Sequence, residues 1–151
     1  MITELQEKFM EIQTDMVDIA LEYVNRDADC IYIYGSIEND AITANVFYTI
    51  AGKVYKKHEI NKASSSYDVS MERQKGLIDI CVSDMMKVSE LFESYDSDVP
   101  TEIRLVYNLN AEKEKFHAQY NYDPVTSLDP DLTTNDVFNQ WYNEVKKEVE
   151  K

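Results

Sequence analysis

Acid–base or nucleophilic catalysis needs a base held within reach of a partner, and this chain has only two histidines, His58 and His117. Each falls in a segment that alternates like a strand, and no Ser sits beside either one in a G-x-S-x-G turn. Both are expected at solvent-facing strand positions, and no catalytic residue is assigned. Cys30 and Cys81 lie far apart in apolar stretches, a spacing that matches neither a metal knuckle nor a redox pair. They are expected as buried free thiols. The 3 glycines are scattered, so none builds the Gly-rich loop ahead of a helix that cradles phosphate.

One concentrated set of oxygen ligands remains, Asp129-Pro130-Asp131 followed by Asp136. A calcium loop of the EF type needs a central Gly and a closing Glu. Counted from Asp129, the closing position is Gln140, and no Gly intervenes. No metal and no cofactor are therefore expected. The segment reads as a solvated acidic loop with Asp136 near a helix N-terminus, where negative charge is favourable.

Tyrosine and acid are what stand out. The chain carries 11 Tyr, one Trp and 29 Asp plus Glu against 15 Lys plus Arg, for a formal net charge of -14. Tyr32 and Tyr34 share one strand face, and Tyr107, Tyr120 and Tyr122 cluster in a late hairpin. Strand tyrosines commonly pack half-buried with a wetted hydroxyl. The alternative is a recognition surface, since tyrosine offers a large contact area at low entropic cost, and mixed with Asp and Glu it suits a basic target. Candidate partner-binding residues are Tyr32, Tyr34, Glu38 and Asp40; Glu90, Glu93, Asp96 and Asp98; and Tyr120, Tyr122, Asp123, Asp129 and Asp131. A chain this acidic repels phosphate backbones, so nucleic acid is not an expected partner. It would speed encounter with a basic protein, although acidity also serves plain solubility.

These residues are positioned by a recognisable order of elements. Leu5, Phe9, Ile12, Met16, Ile19 and Tyr23 recur at steps of three and four, which predicts an amphipathic helix capped by Thr3 and ending near Asn25. Cys30 to Tyr34 alternates as a strand. After the turn Glu38-Asn39-Asp40, Ala44 to Ile50 reads as a second strand, and beyond Ala51-Gly52-Lys53 a third runs from Val54 to Ile60. Ser70 should cap a long helix reaching about Tyr95, with Leu77, Ile80, Cys81, Met85, Val88, Leu91 and Phe92 as its apolar stripe. Gly76 costs that helix about 1 kcal/mol relative to Ala, and close packing against a neighbour is the expected compensation.

Ile103, Leu105, Tyr107 and Leu109 define a fourth strand. Asn110 to Glu114 is a polar turn, and Phe116, Ala118, Tyr120 and Tyr122 define a fifth strand. After the loop Asp123 to Asn135, a last helix starts near Thr134 and carries Val137, Phe138, Trp141, Tyr142, Val145 and Val149 on one side. The order α-β-β-β-α-β-β-α predicts an α+β fold, an antiparallel sheet of about five strands with helices packed on one face, in a single domain over 1–151. Met1 to Met10 carries Glu4, Glu7 and Lys8 within a helical pattern and does not read as a signal peptide. No apolar run approaches the roughly 18 residues of a membrane helix, so no membrane partner and a cytoplasmic location are expected.

Several strings resemble the YezG-like group of bacterial immunity proteins. They are the acidic N-terminal helix, Ile31-Tyr32-Ile33-Tyr34 with its acidic turn, Val46-Phe47-Tyr48, and Tyr67-Asp68-Val69-Ser70 opening the long helix. Glu112-Lys113-Glu114-Lys115-Phe116 and Gln119-Tyr120-Asn121-Tyr122-Asp123 complete the resemblance, which covers most of the chain. A tryptophan that many relatives carry before the first strand is missing here. The resemblance implies an antitoxin that acts without catalysis, blocking a basic, nuclease-like toxin by protein–protein contact. The alternative binding role is that of a secretion chaperone or adaptor.

Overall fold

A computed structural model describes residues 2–113 and 115–151. Met1, the first residue of the segment read as lacking a signal peptide, lies outside them. So does Glu114, the last residue of the expected Asn110–Glu114 turn. Helix α1 (Glu4–Tyr23) leads into strands β1 (Cys30–Glu38), β2 (Ala41–Ile50) and β3 (Lys53–Lys56), and a 3-10 helix spans Lys57–Lys62. Helix α2 (Met71–Ser94), strands β4 (Glu102–Asn108) and β5 (Phe116–Asn121) and helix α3 (Thr134–Val149) complete the chain. This is the α+β order expected.

The caps follow from short polar side chains satisfying free first-turn amides. Thr3 Oγ1 accepts from the Gln6 N–H at 3.1 Å while Gln6 Oε1 accepts from the Thr3 N–H at 3.0 Å, a reciprocal box that starts α1. Ser70 and Thr133 cap α2 and α3 in the same position. Helix α1 stops at Tyr23 because Asn25 and Arg26 both take φ of 56°, a left-handed conformation that no helix continues through.

The strands form one antiparallel sheet in the order β3-β2-β1-β4-β5. Register sets Ile31 opposite Tyr48 and Tyr107, and Ile33 opposite Val46 and Leu105. These residues point to the face covered by α1 and α2, where Phe9, Met16, Ala20, Leu77, Met85 and Val88 complete the core. The other parity carries Tyr32, Tyr34, Phe47 and Val54, and α3 covers it with Val137, Phe138, Trp141 and Tyr142. Phe47 meets the rings of Phe138, Trp141 and Tyr142 edge-on, with centroids 5.7, 5.1 and 5.4 Å away.

The expectation of helices on one face is thus corrected: the sheet is sandwiched. The physical reason is in the strand itself, since Cys30-Ile31-Tyr32-Ile33-Tyr34 has large apolar bodies on both parities, and each face needs its own cover.

The third strand is also shorter than expected. It ends at Lys56, whose N–H donates to the Glu59 carboxylate at 3.2 Å. The chain then coils so that Ile60 is fully buried on the α1–α2 side. The close packing expected at Gly76 is corrected as well. Gly76 lies in open space, whereas a Cβ on Gly35 would fall onto the Met85 thioether. Close approach of β1 to α2 at Gly35 is the contact that requires glycine.

Candidate partner-binding surface

Chain connectivity gathers the acidic linkers at one end of the sheet. There β1 turns into β2 through Asn39 and Asp40, α2 is joined to β4 through residues 95–101, and β5 to α3 through residues 122–133. Asp40, Asp96, Asp98, Asp123, Asp129 and Asp131 lie in these linkers, all exposed, and none of the linkers holds a Lys or Arg. Glu90 and Glu93, both exposed, extend the set along the last turns of α2. The opposite end is mixed in sign, with Arg26, Lys57, Lys62, Lys113 and Lys115 among Asp27, Asp29, Glu59 and Glu112. These linkers therefore form an acidic pole, bordered by Lys8, whose ammonium lies 3.3 Å from the Tyr95 hydroxyl, and potentials add where charges of one sign are grouped.

The pole is held in shape by its own hydrogen bonds. Glu38 accepts from the Val125 N–H, the Thr126 N–H and the Thr126 hydroxyl, each at 2.7 Å, and from the Ser127 hydroxyl at 3.0 Å. Burial opposes ionisation of Glu38, but those donors outweigh it and hold the carboxyl down to about 2. The Thr101 hydroxyl lies 3.0 Å from the Asn121 carbonyl and 2.7 Å from that of Asp123. Asp129 Oδ1 accepts the Asp131 N–H at 3.0 Å. On this braced loop Leu128 is 82% exposed, and Tyr122 next to Asp123 is 50% exposed.

The structure divides the candidate residues into two groups. Asp40, Glu90, Glu93, Asp96, Asp98, Tyr120, Tyr122, Asp123, Asp129 and Asp131 are exposed and cluster toward this pole. Tyr120 joins it because its ring packs 5.1 Å from Phe9, which in turn meets Phe92 at 5.0 Å. Tyr34 is withdrawn from the surface, and Tyr32 and Glu38 are only partly exposed. Tyr32 stacks on Phe47 at 4.5 Å under α3, Tyr34 is 1% exposed, and Glu38 is consumed by the loop it clamps.

Most buried tyrosines follow the packing reading, because an apolar ring can be buried only if its hydroxyl finds a partner. Tyr23 donates to the Lys57 carbonyl, Tyr48 to that of Ala20 and Tyr67 to that of Asp27.

His58 and His117 are both exposed, His117 on β5 and His58 on the 3-10 helix rather than on a strand. Cys30 and Cys81 are buried free thiols, and burial pushes Cys81 up to about 12, well away from nucleophilic use. Asp136 accepts the Thr133 N–H at 3.0 Å as part of the α3 cap. Among the described residues no three acidic, His or Cys side chains converge on a metal position, and no helix is long and apolar enough to cross a membrane.

Sequence reasoning missed a second feature, a groove of about 230 Å³ between α1 and the β4–β5 pair. Met10, Thr14, Val17, Asp18, Leu21, Tyr107 and Phe116 line it. Met10 is the signal that could have found it, a large apolar residue off the core stripe of α1 and 47% exposed. Helical spacing sets Glu7 and Glu11 beside Asp18 on the solvent rim of this groove, and all three are exposed. No family model and no curated protein sequence matches the chain.

Proposed function

We propose that this protein is a non-catalytic binding domain of the immunity type, which neutralises a basic, nuclease-like toxin by contact at its acidic pole. The observation that carries the reading is the concentration of six aspartates, with no Lys or Arg among them, in three linkers at one end of the sheet. A nuclease presents a basic cleft made to grip phosphate. An array of carboxylates attracts that cleft from a distance and raises the encounter rate. Leu128 and Tyr122 project from the same pole as apolar anchors, the kind of residue that carries binding energy inside a polar rim. The loop that bears them is braced by Glu38, so less ordering is left to binding. The local strings that resemble the YezG-like immunity group support the same role.

The test is capture of partners by the tagged protein at two salt concentrations, followed by assay of the captured protein's nuclease activity with and without the binder. One basic partner, inhibited on binding and lost at high salt or on combined Asp96→Asn, Asp98→Asn, Asp129→Asn and Asp131→Asn substitution, is expected. A partner retained regardless of salt and of those substitutions would transfer the role to a secretion chaperone or adaptor.

A further inference from the structure

The two edges of the sheet are finished differently. At the β3 edge the outward main-chain groups are already satisfied. The Val54 N–H donates to the Glu150 carboxylate at 2.8 Å, the Tyr142 hydroxyl approaches the Val54 carbonyl at 3.4 Å, and the Lys56 N–H is held by Glu59. Such closure is how proteins keep an edge strand from pairing with another chain.

At the β5 edge nothing comparable is present among the described residues. The Asn108 N–H donates to the Lys115 carbonyl at 2.7 Å, and with Tyr107 opposite Phe116 the alternation of an antiparallel ladder turns the N–H and C=O of Phe116, Ala118 and Tyr120 outward. The Ile37 N–H bond to the Thr101 carbonyl fixes the same parity from the β1 side of β4. Among the described residues no side chain or main-chain group caps these outward positions.

We propose that β5 is a strand-addition site, taking an extended cationic segment of a protein partner as a sixth strand of the sheet. Main-chain hydrogen bonds to an open edge supply affinity, and side-chain pockets beside it supply specificity. Alternate side chains of an added strand would enter the groove between α1 and β5, against Met10, Val17 and Phe116. Glu7, Glu11 and Asp18 on its rim select positive charge at the entrance. A second copy of this chain is disfavoured as occupant. Edge-to-edge pairing of two β5 strands would bring two such acidic rims together on chains of net charge -14 each. The site continues into the acidic pole through Tyr122 and Asp123, so the proposal rests on the reading of that pole as the partner surface and adds the main-chain contact to it.

The test uses the full chain and a capped six-residue peptide alternating Val and Lys, matched to the length of β5, with amide hydrogen exchange read by NMR. Slowed exchange at Phe116, Ala118 and Tyr120 on peptide addition is expected. Ala118→Pro, at an outward N–H where an edge strand tolerates proline, should weaken the peptide about tenfold, as loss of one or two main-chain bonds implies. The wild-type exchange pattern stands on its own should that variant not fold. Peptide binding that leaves those three amides exchanging freely would overturn the proposal. So would their protection in peptide-free protein in step with dimer formation. If β5 fails this test while a basic partner is still captured and released by substitution of the pole aspartates, the strand-addition site falls and the acidic-pole reading survives. Protected β5 amides with no toxin captured would leave the reverse.

Discussion

The Tyr34 hydroxyl donates to Glu102 Oε2 at 2.7 Å, and both residues are buried where β1 lies against β4. Arg104, directly opposite Tyr34 in the ladder, places its guanidinium 5.2 Å from the Trp141 ring and its Nε 3.7 Å from Glu102 Oε1. A polar string therefore runs beneath the N-terminal half of α3. Burial first, and the Glu102 carboxylate second, raise the Tyr34 phenol far above its ordinary range, so this hydroxyl stays protonated and donating.

Tyr34→Phe removes the donor and leaves a buried carboxylate oxygen without its bond. An unsatisfied buried acceptor costs about 1–3 kcal/mol, and that loss is expected in urea denaturation. Glu102→Leu carries its own cost because it strips Arg104 of its carboxylate, but in that background the further Tyr34→Phe change should cost less than it does in the wild type, since its acceptor is gone. An equal cost of Tyr34→Phe in the two backgrounds would show that the bond is not the source of the effect.

Asp84 sits 1% exposed between α1 and α2, and among the described residues its Oδ2 has no donor. Burial first, then the Asp15 carboxyl beside it, raise its pKa from 3.8 to about 7, while the Lys87 ammonium at 3.6 Å acts the other way. The folded state thus holds a proton that the unfolded state releases. Stability from this group is fully present below about 3.8, and declines as pH rises toward about 7. Asp84→Asn should be nearly neutral at the acid end of that window and raise Tm above it, as read by thermal melts across pH. An unchanged difference between the two proteins over the window would sink the account.

Glu38 has the opposite sign. Its carboxyl is depressed to about 2, so its contribution is present above the ordinary carboxyl value of 4.5 and is lost as pH falls toward about 2. Glu38→Ala deletes four accepted hydrogen bonds and should speed proteolytic cleavage within residues 124–132 far more than global unfolding. Glu38→Gln, which keeps an acceptor oxygen, should fall between. Unchanged cleavage of the alanine variant would mean that the loop is ordered by its remaining contacts alone.

Much of this fold was legible because its signals are local. Thr3 and Ser70 sit where short hydroxyls accept first-turn amides, and the strand alternations at Ile103–Tyr107 and Phe116–Tyr120 lie nearly where their spacing predicts. The side of the sheet taken by α3 was not legible, because an amphipathic stripe fixes which face of a helix is buried and not which face of the sheet buries it. The part Glu38 plays in holding the loop was not legible for a related reason. An acid before a turn looks solvated until its donors are known, and those lie 87 to 89 residues later. The candidate acids of the pole were visible one by one, but their convergence depends on which ends of the strands the linkers join.

The glycines show the same limit and yield the last prediction. Glycine in a helix announces itself as a propensity defect, which drew attention to Gly76, yet a Cβ there meets nothing within 4 Å. Gly76→Ala should therefore stabilise the protein by up to about 1 kcal/mol. Glycine in a strand is silent in the sequence until the neighbour is placed, and at Gly35 that neighbour is Met85, a fully buried residue of α2. Gly35→Ala forces the thioether aside in a filled core, and overpacking of this kind costs about 1–3 kcal/mol. Shortening the obstacle with Met85→Ala would also cost stability alone, through the cavity it leaves. The two together should cost less than the sum of the singles, because the added methyl and the removed side chain compete for one space. A double-mutant cycle by urea denaturation reads that coupling, and strict additivity would mean that β1 and α2 do not meet at Gly35.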